Sequence, residues 1–117
     1  MEYTKLEVWI VSRKLANLVY TVTKNFPKEE LFSLINQIRR CAVSVPSNIA
    51  EGCGRQTSKE TIHFLHISRG SLYELETQIY LSLDQNYLST NDFEDVLQQI
   101  QICKRLINGF INYYKKL

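Results

Sequence analysis

The sequence has 117 residues, 44% of them hydrophobic and 22% charged, which fits one globular domain with one core. Its net charge of +2 excludes the strongly basic type of nucleic-acid-binding domain, so any basic surface must come from distribution and not from the total. Cys41, Cys53 and Cys103 form an odd set without a CxxC pair, the start MEYTKLEVW has no basic segment leading into a long apolar run, and no stretch of about 18 apolar residues occurs; together these predict reduced thiols in a cytosolic protein with no signal peptide and no membrane partner.

The first helix is predicted from about Thr4 to Lys24. Val8, Val11, Leu15, Leu18 and Val22 recur every three or four residues, as a core-facing stripe does, and Trp9, Ala16 and Tyr20 widen it to one side. Glu2 and Glu7 at its start and Lys24 at its end suit the helix dipole. Asn25-Phe26-Pro27 breaks it. The second helix is predicted to start at Pro27 or Lys28, because proline is favoured in a first turn, where its missing N–H would be unpaired anyway. Its apolar face is Leu31, Leu34, Ile35, Ile38, Ala42, Val45 and Ile49, and Gly52 and Gly54 end it. Pro46 lies inside, where it removes one ladder hydrogen bond and crowds the Ala42 carbonyl. The apolar register continues across it, which favours a kink over a break at Val45.

Thr57-Ser58-Lys59-Glu60 is a capping box that opens the third helix. Ile62, Leu65, Leu72, Leu75, Ile79 and Leu83 carry its stripe to about Asp84. Ser68, Arg69 and Ser71 interrupt that stripe, with Gly70 among them. A mid-helix glycine costs about 1 kcal/mol against alanine, so a close approach by a neighbouring helix is expected at Gly70. The fourth helix begins after Ser89 or Thr90 and runs to the C-terminus. Phe93, Val96, Leu97, Ile100, Cys103, Ile107, Ile111 and Tyr114 form its stripe. Asp92, Glu94 and Asp95 lie at its start, and Lys104, Arg105, Lys115 and Lys116 toward its end. Four long helices with short connections predict an all-α fold, an up-down-up-down antiparallel four-helix bundle over residues 1–117.

Two polar lines stand out against the apolar stripes. Arg40, Ser44, Asn48 and Glu51 share one side of the second helix, and Ser71, Glu74 and Gln78 share one side of the third. Meeting across the bundle, they would form an interhelical polar network that fixes helix register. A ligand or partner site and a solvated face are the competing readings.

Catalytic and metal chemistry find little support. Glu60 and His63 have the ExxH spacing of di-iron bundles, but such a site needs a second ExxH and further carboxylates, and the fourth helix has no histidine. His63 and His66 remain as a weak pair, and no metal is expected. Cys41 and Cys103 sit on apolar faces, where inert core cysteine is the default. No strand is predicted and no Gly-rich phosphate loop is present. The chain is therefore expected to be no enzyme, with no cofactor and no small-molecule substrate.

The basic residues are more informative. Arg39 and Arg40 are adjacent, Arg55 and Lys59 flank the second loop, and Lys104 and Arg105 are adjacent on the fourth helix. If the second and fourth helices placed these on a common surface, they would form a nucleic-acid-binding patch that an oligomer would multiply, with strongly salt-dependent binding. Seven tyrosines and one tryptophan also bear on assembly. Trp9, Tyr20, Tyr73, Tyr80, Tyr113 and Tyr114 cannot all fit one narrow core, which places some at subunit contacts, where aromatics are enriched.

Phe26-Pro27, Gln37 to Arg40 (QIRR) and above all Ser44 to Gly52 (SVPSNIAEG) resemble the four-helix-bundle proteins encoded in intervening sequences of bacterial 23S ribosomal RNA genes. Gly70 to Leu75 (GSLYEL) with Gln78 is similar to that family's third helix, and Leu6 to Trp9 and the Tyr20, Thr23, Phe26 spacing also fit. The similarity covers nearly the whole chain. It implies an up-down four-helix bundle that forms a ring-like homopentamer. A related branch, the accessory variability determinant of diversity-generating retroelements, is a basic pentamer that binds nucleic acid and a reverse transcriptase; this chain is only mildly basic by comparison. The combined expectation is a non-catalytic oligomeric accessory that binds RNA or a nucleoprotein, with a structural oligomeric scaffold for a protein partner as the alternative.

Overall fold

A computed structural model describes residues 2–117, in which four α-helices follow one another: α1 (Glu7–Thr23), α2 (Leu34–Cys53), α3 (Ser58–Asp84) and α4 (Thr90–Lys115). Short 3-10 turns precede α1 (Tyr3–Lys5) and α2 (Lys28–Glu30). Each helix packs on two neighbours, in the cycle α1, α2, α3, α4, and the pairs α1–α3 and α2–α4 lie on the diagonals. This is the expected up-down antiparallel bundle, about 45 Å long. No helix among the described residues is long and apolar enough to cross a membrane.

The Thr57 cap is where the sequence places it, and of the two starts left open for the fourth helix the structure takes the one capped by Ser89. The Thr57 hydroxyl accepts the Glu60 N–H (3.2 Å), and Ser89 accepts that of Asp92 (3.0 Å). Each satisfies a donor that the first helical turn leaves unpaired. At the end of α3, Asn86 takes a left-handed conformation (φ 63°), and the Tyr87 N–H reaches back to the Ser82 carbonyl.

One continuous core fills the bundle. On α1 its centre line is Val8, Ser12, Leu15, Val19 and Val22, so Val11 and Leu18 flank the stripe and do not centre it. Ser12 is tolerated there because its hydroxyl bonds back to the Trp9 carbonyl (2.9 Å). Ile35, Ile38, Ala42, Val45 and Ile49 of α2 are buried as expected, and so are Leu65, Leu72, Leu75 and Ile79 of α3 and Val96, Ile100, Cys103, Ile107 and Ile111 of α4.

Two expectations change, the start of the second helix and the close approach at Gly70, while the helix continues across Pro46 as favoured. The second helix begins at Leu34 and not at Pro27 or Lys28. Phe26 is buried at the bundle end against Tyr87, whose hydroxyl donates to Glu30 (2.8 Å), so the chain turns there to plug the core before the helix starts. Leu31 consequently lies in the turn and is exposed. At Pro46, α2 runs on without a break, and the Ser68 hydroxyl of α3 donates to the Val45 carbonyl beside it (2.8 Å). Gly70 faces solvent, with nothing within 4 Å of where a Cβ would stand. The close approach is at Gly52, whose carbonyl accepts from the buried Thr61 hydroxyl (2.8 Å).

Candidate nucleic-acid interface

The exposed side of the α1–α2 pair carries four shallow grooves that share lining residues and so form one surface. One of about 540 Å³ lies beside Tyr20 and takes Asn36, Arg39, Arg40 and Ser47 from α2. Ser47 links it to the next groove, which Trp9 and Arg13 of α1 join; these two then continue past Lys14 and Asn17. The fourth reaches Glu51 and Arg55 at the far end.

The electrostatics of this surface differ from those of the rest of the chain. Its lining holds Arg13, Lys14, Arg39, Arg40 and Arg55 against the single carboxylate of Glu51, a net +4. The whole chain is only +2, so the remainder is −2. Arg55 pairs with Glu51 and lies over the Phe64 ring. Among the described residues no carboxylate pairs with Arg13, Lys14, Arg39 or Arg40. Arg13 stands over the Trp9 ring at 5.4 Å, and Arg39 over the Tyr20 ring at 4.7 Å while donating to the Thr23 hydroxyl (3.0 Å). These contacts orient the two guanidiniums without neutralising them.

The six basic residues singled out in the sequence do not share one surface. Arg39, Arg40 and Arg55 lie on the α1–α2 side, and Lys59 is exposed at the start of α3. Lys104 points toward α3, where its ammonium pairs with Glu76 (2.8 Å), is only 15% exposed and stands 4.3 Å above the Tyr73 ring. Arg105 lines a separate apolar groove between α1 and α4, with Leu6, Phe110 and Tyr113. The common surface expected of helices two and four does not form, because those helices are diagonal partners. Arg13 and Lys14 take the place of the α4 pair. Their signal in the sequence was an adjacent basic pair on the side of the first helix already marked by Trp9 and Tyr20.

The polar lines meet only in part. Ser71 donates to Ser44 (2.9 Å), and the Asn48 amide bonds the Ser44 hydroxyl and carbonyl (2.9 Å each). Cys41 takes the place expected of Arg40: its thiol contacts Glu74 (3.6 Å) and receives the Gln78 amide (3.5 Å). Arg40 is turned outward into the groove, and Glu51 pairs with Arg55 just past the end of its own helix, so neither joins the seam. Burial pushes the thiols of Cys41, Cys53 and Cys103 upward, Cys103 to about 12, which leaves all three protonated and unreactive near neutrality.

His63 packs edge-on against Phe64, while His66 Nδ1 accepts from Arg69 (2.9 Å), which also donates to Asn108 (2.9 Å). Partial burial, then the charges of Arg69, Lys115 and His63, push the His66 pKa down. Among the described residues no three or more His, Cys, Asp or Glu side chains converge as metal ligands.

Comparison with known proteins agrees with this architecture. The search of curated proteins finds no match. Among solved structures, the chain is similar to a protein of unknown function from the S23 ribosomal protein family of Bacteroides thetaiotaomicron, with a TM-score of 0.81 over 90% of this chain and 95% of that one. At 22% identity that likeness speaks for the bundle fold alone. The family model described as 23S rRNA-intervening sequence protein matches residues 4–109. With nearly the whole bundle inside that match, the chain belongs to the 23S rRNA-intervening sequence protein family.

Proposed function

We propose that the chain is a non-catalytic, homo-oligomeric accessory of the cytosol, assembled as the pentamer that its resemblance implies, and that it binds RNA or a nucleoprotein through its α1–α2 face. The observation that carries this is the concentration of charge: four unneutralised cations line connected grooves on a molecule that is otherwise net acidic. Such a field attracts a polyanion that the total charge would not. Three unpaired thiols suit a reducing compartment.

Self-association is supported by the outer face of α3. From His63 to Leu81 its exposed residues include Ile67, Tyr73, Tyr80 and Leu81 but only one charge, Glu74. A helix apolar on its outward side as well as its core side is one that expects a neighbour. The same face favours the second reading, an oligomeric scaffold for a protein partner.

Light scattering with absorbance at 260 and 280 nm, on protein purified at low and at high salt, tests the proposal. An oligomer carrying nucleic acid that leaves at high salt is expected, and Lys14→Glu with Arg40→Glu should abolish that cargo. The slope of log K against log salt on a single strand should lie between about −1.4, where two of the four cations hold phosphates, and about −3, where all four do. A clean oligomer without nucleic acid at either salt would move the weight to the scaffold, and a monomer would overturn both readings.

A further inference from the structure

We propose that the α1–α2 face takes an unpaired polynucleotide strand, with phosphates on Lys14 and Arg40 and bases stacked at the Arg13–Trp9 and Arg39–Tyr20 pairs. This rests on the reading that the face binds nucleic acid, and adds which form it binds.

A patch that served duplex phosphates would need only charge. This one interleaves charge with flat surfaces. In each of two places a guanidinium lies over an aromatic ring, at 5.4 Å on Trp9 and 4.7 Å on Tyr20. Aromatic rings and arginine planes are the platforms on which unpaired bases stack, and a duplex hides its base faces within its own stack. Trp9 and Tyr20 are about three turns apart on the same side of α1, roughly 16 Å, so the two platforms are successive points along one track. Tyr20 is 41% exposed, and the phosphate-binding cations are beside it: Arg40 shares its groove, and Lys14 shares the groove of Trp9 and Arg13. From Asn36 to Gly54 the track follows about 27 Å of α2, a length of roughly eight stacked nucleotides at about 3.4 Å each.

Fluorescence anisotropy on the full chain tests this, with one mixed sequence of roughly 12 nucleotides, longer than the track, offered as single-stranded RNA, as single-stranded DNA and as the RNA duplex. The single strands should bind at least about ten-fold more tightly than the duplex, and Tyr20→Leu should remove about ten-fold from the strands while leaving the duplex unchanged, as expected for one stacked base. Tyr20→Phe keeps the ring and should keep the affinity. Arg40→Glu should weaken all three. The RNA and DNA arms show whether the 2′-hydroxyl contributes. Should Tyr20→Leu lose its helical signal, the single tryptophan, Trp9, decides: its fluorescence should be quenched by a strand and not by the duplex. A duplex that binds as tightly as the strands, or a Tyr20→Leu loss shared by all forms, would overturn this inference and leave the general reading standing. Absence of binding to every form would overturn both.

Discussion

One added methyl group should move the stability of the bundle in opposite directions at two glycines. A Cβ at Gly70 would meet nothing within 4 Å. Gly70→Ala therefore only relieves the backbone-entropy cost of a mid-helix glycine, and urea unfolding should show a gain of about 1 kcal/mol. At Gly52 the same atom would lie 3.2 Å from the Phe64 Cβ and 3.2 Å from the Thr61 carbonyl oxygen. Both belong to the rigid first turns of α3, so Gly52→Ala should lose about 1–3 kcal/mol by overpacking. Cys103 supplies the pH signature. Burial lifts its pKa from an ordinary 9.0 to about 12. Below pH 9 the thiol is neutral in the folded and the unfolded chain, and it contributes no pH dependence. Above that the unfolded chain ionises while the folded one does not, so stability falls by up to about 1.4 kcal/mol per pH unit until the folded value is reached. Unfolding of the natural chain and of Cys103→Val, compared at about pH 8 and about pH 10.5, should show the gap shifting toward the variant at the higher pH. A gap that does not change with pH would refute this account of the thiol.

The α2–α3 seam is where a helix carrying an internal proline packs on its neighbour. Pro46 cannot donate to the Ala42 carbonyl, and the fully buried Ser68 hydroxyl bonds the Val45 carbonyl next to it, tying α3 to α2 at the weakest point of the ladder. Ser68→Ala should cost about 1 kcal/mol, and Ser44→Ala with Ser71→Ala should show non-additive losses in a double-mutant cycle, since those two hydroxyls bond each other. The same seam shows what a sequence makes legible. Helix existence, the Thr57 and Ser89 caps and the apolar stripes of α3 and α4 are set by residues within a few positions of one another, so spacing reveals them. The start of α2 is not, because Tyr87, 57 residues away, helps hold the turn around Glu30 by a tertiary bond. The candidate interface is half legible for a similar reason. Arg39 and Arg40 announce themselves as neighbours in the chain, whereas Arg13 and Lys14 belong with them only once α1 lies beside α2. In the sequence Lys104 is equally available, and only the fold shows Glu76 standing against it.

On the scale of the whole molecule, the proposed function assigns different tasks to the cationic α1–α2 face and the charge-poor outer face of α3. In the proposed assembly, copies would repel one another through the first, so association through the second would leave the cationic grooves open. Ile67→Lys with Leu81→Lys tests this division. Both side chains are exposed, at 39% and 48%, so the bundle should keep its helical signal while its mass in light scattering falls to that of one chain, 13.7 kDa. Binding should then separate by ligand length. A strand short enough for one subunit makes the same contacts in either state, and its affinity should be unchanged. A strand long enough to reach several subunits loses its linked sites, and its affinity should fall by about 10²–10⁴-fold. The salt slope should fall with it, because each subunit disengaged takes its released counterions out of the balance. If the monomeric variant held the long strand as tightly and with the same slope, the assembly would add nothing to binding, and the oligomer would have to be explained by a protein partner.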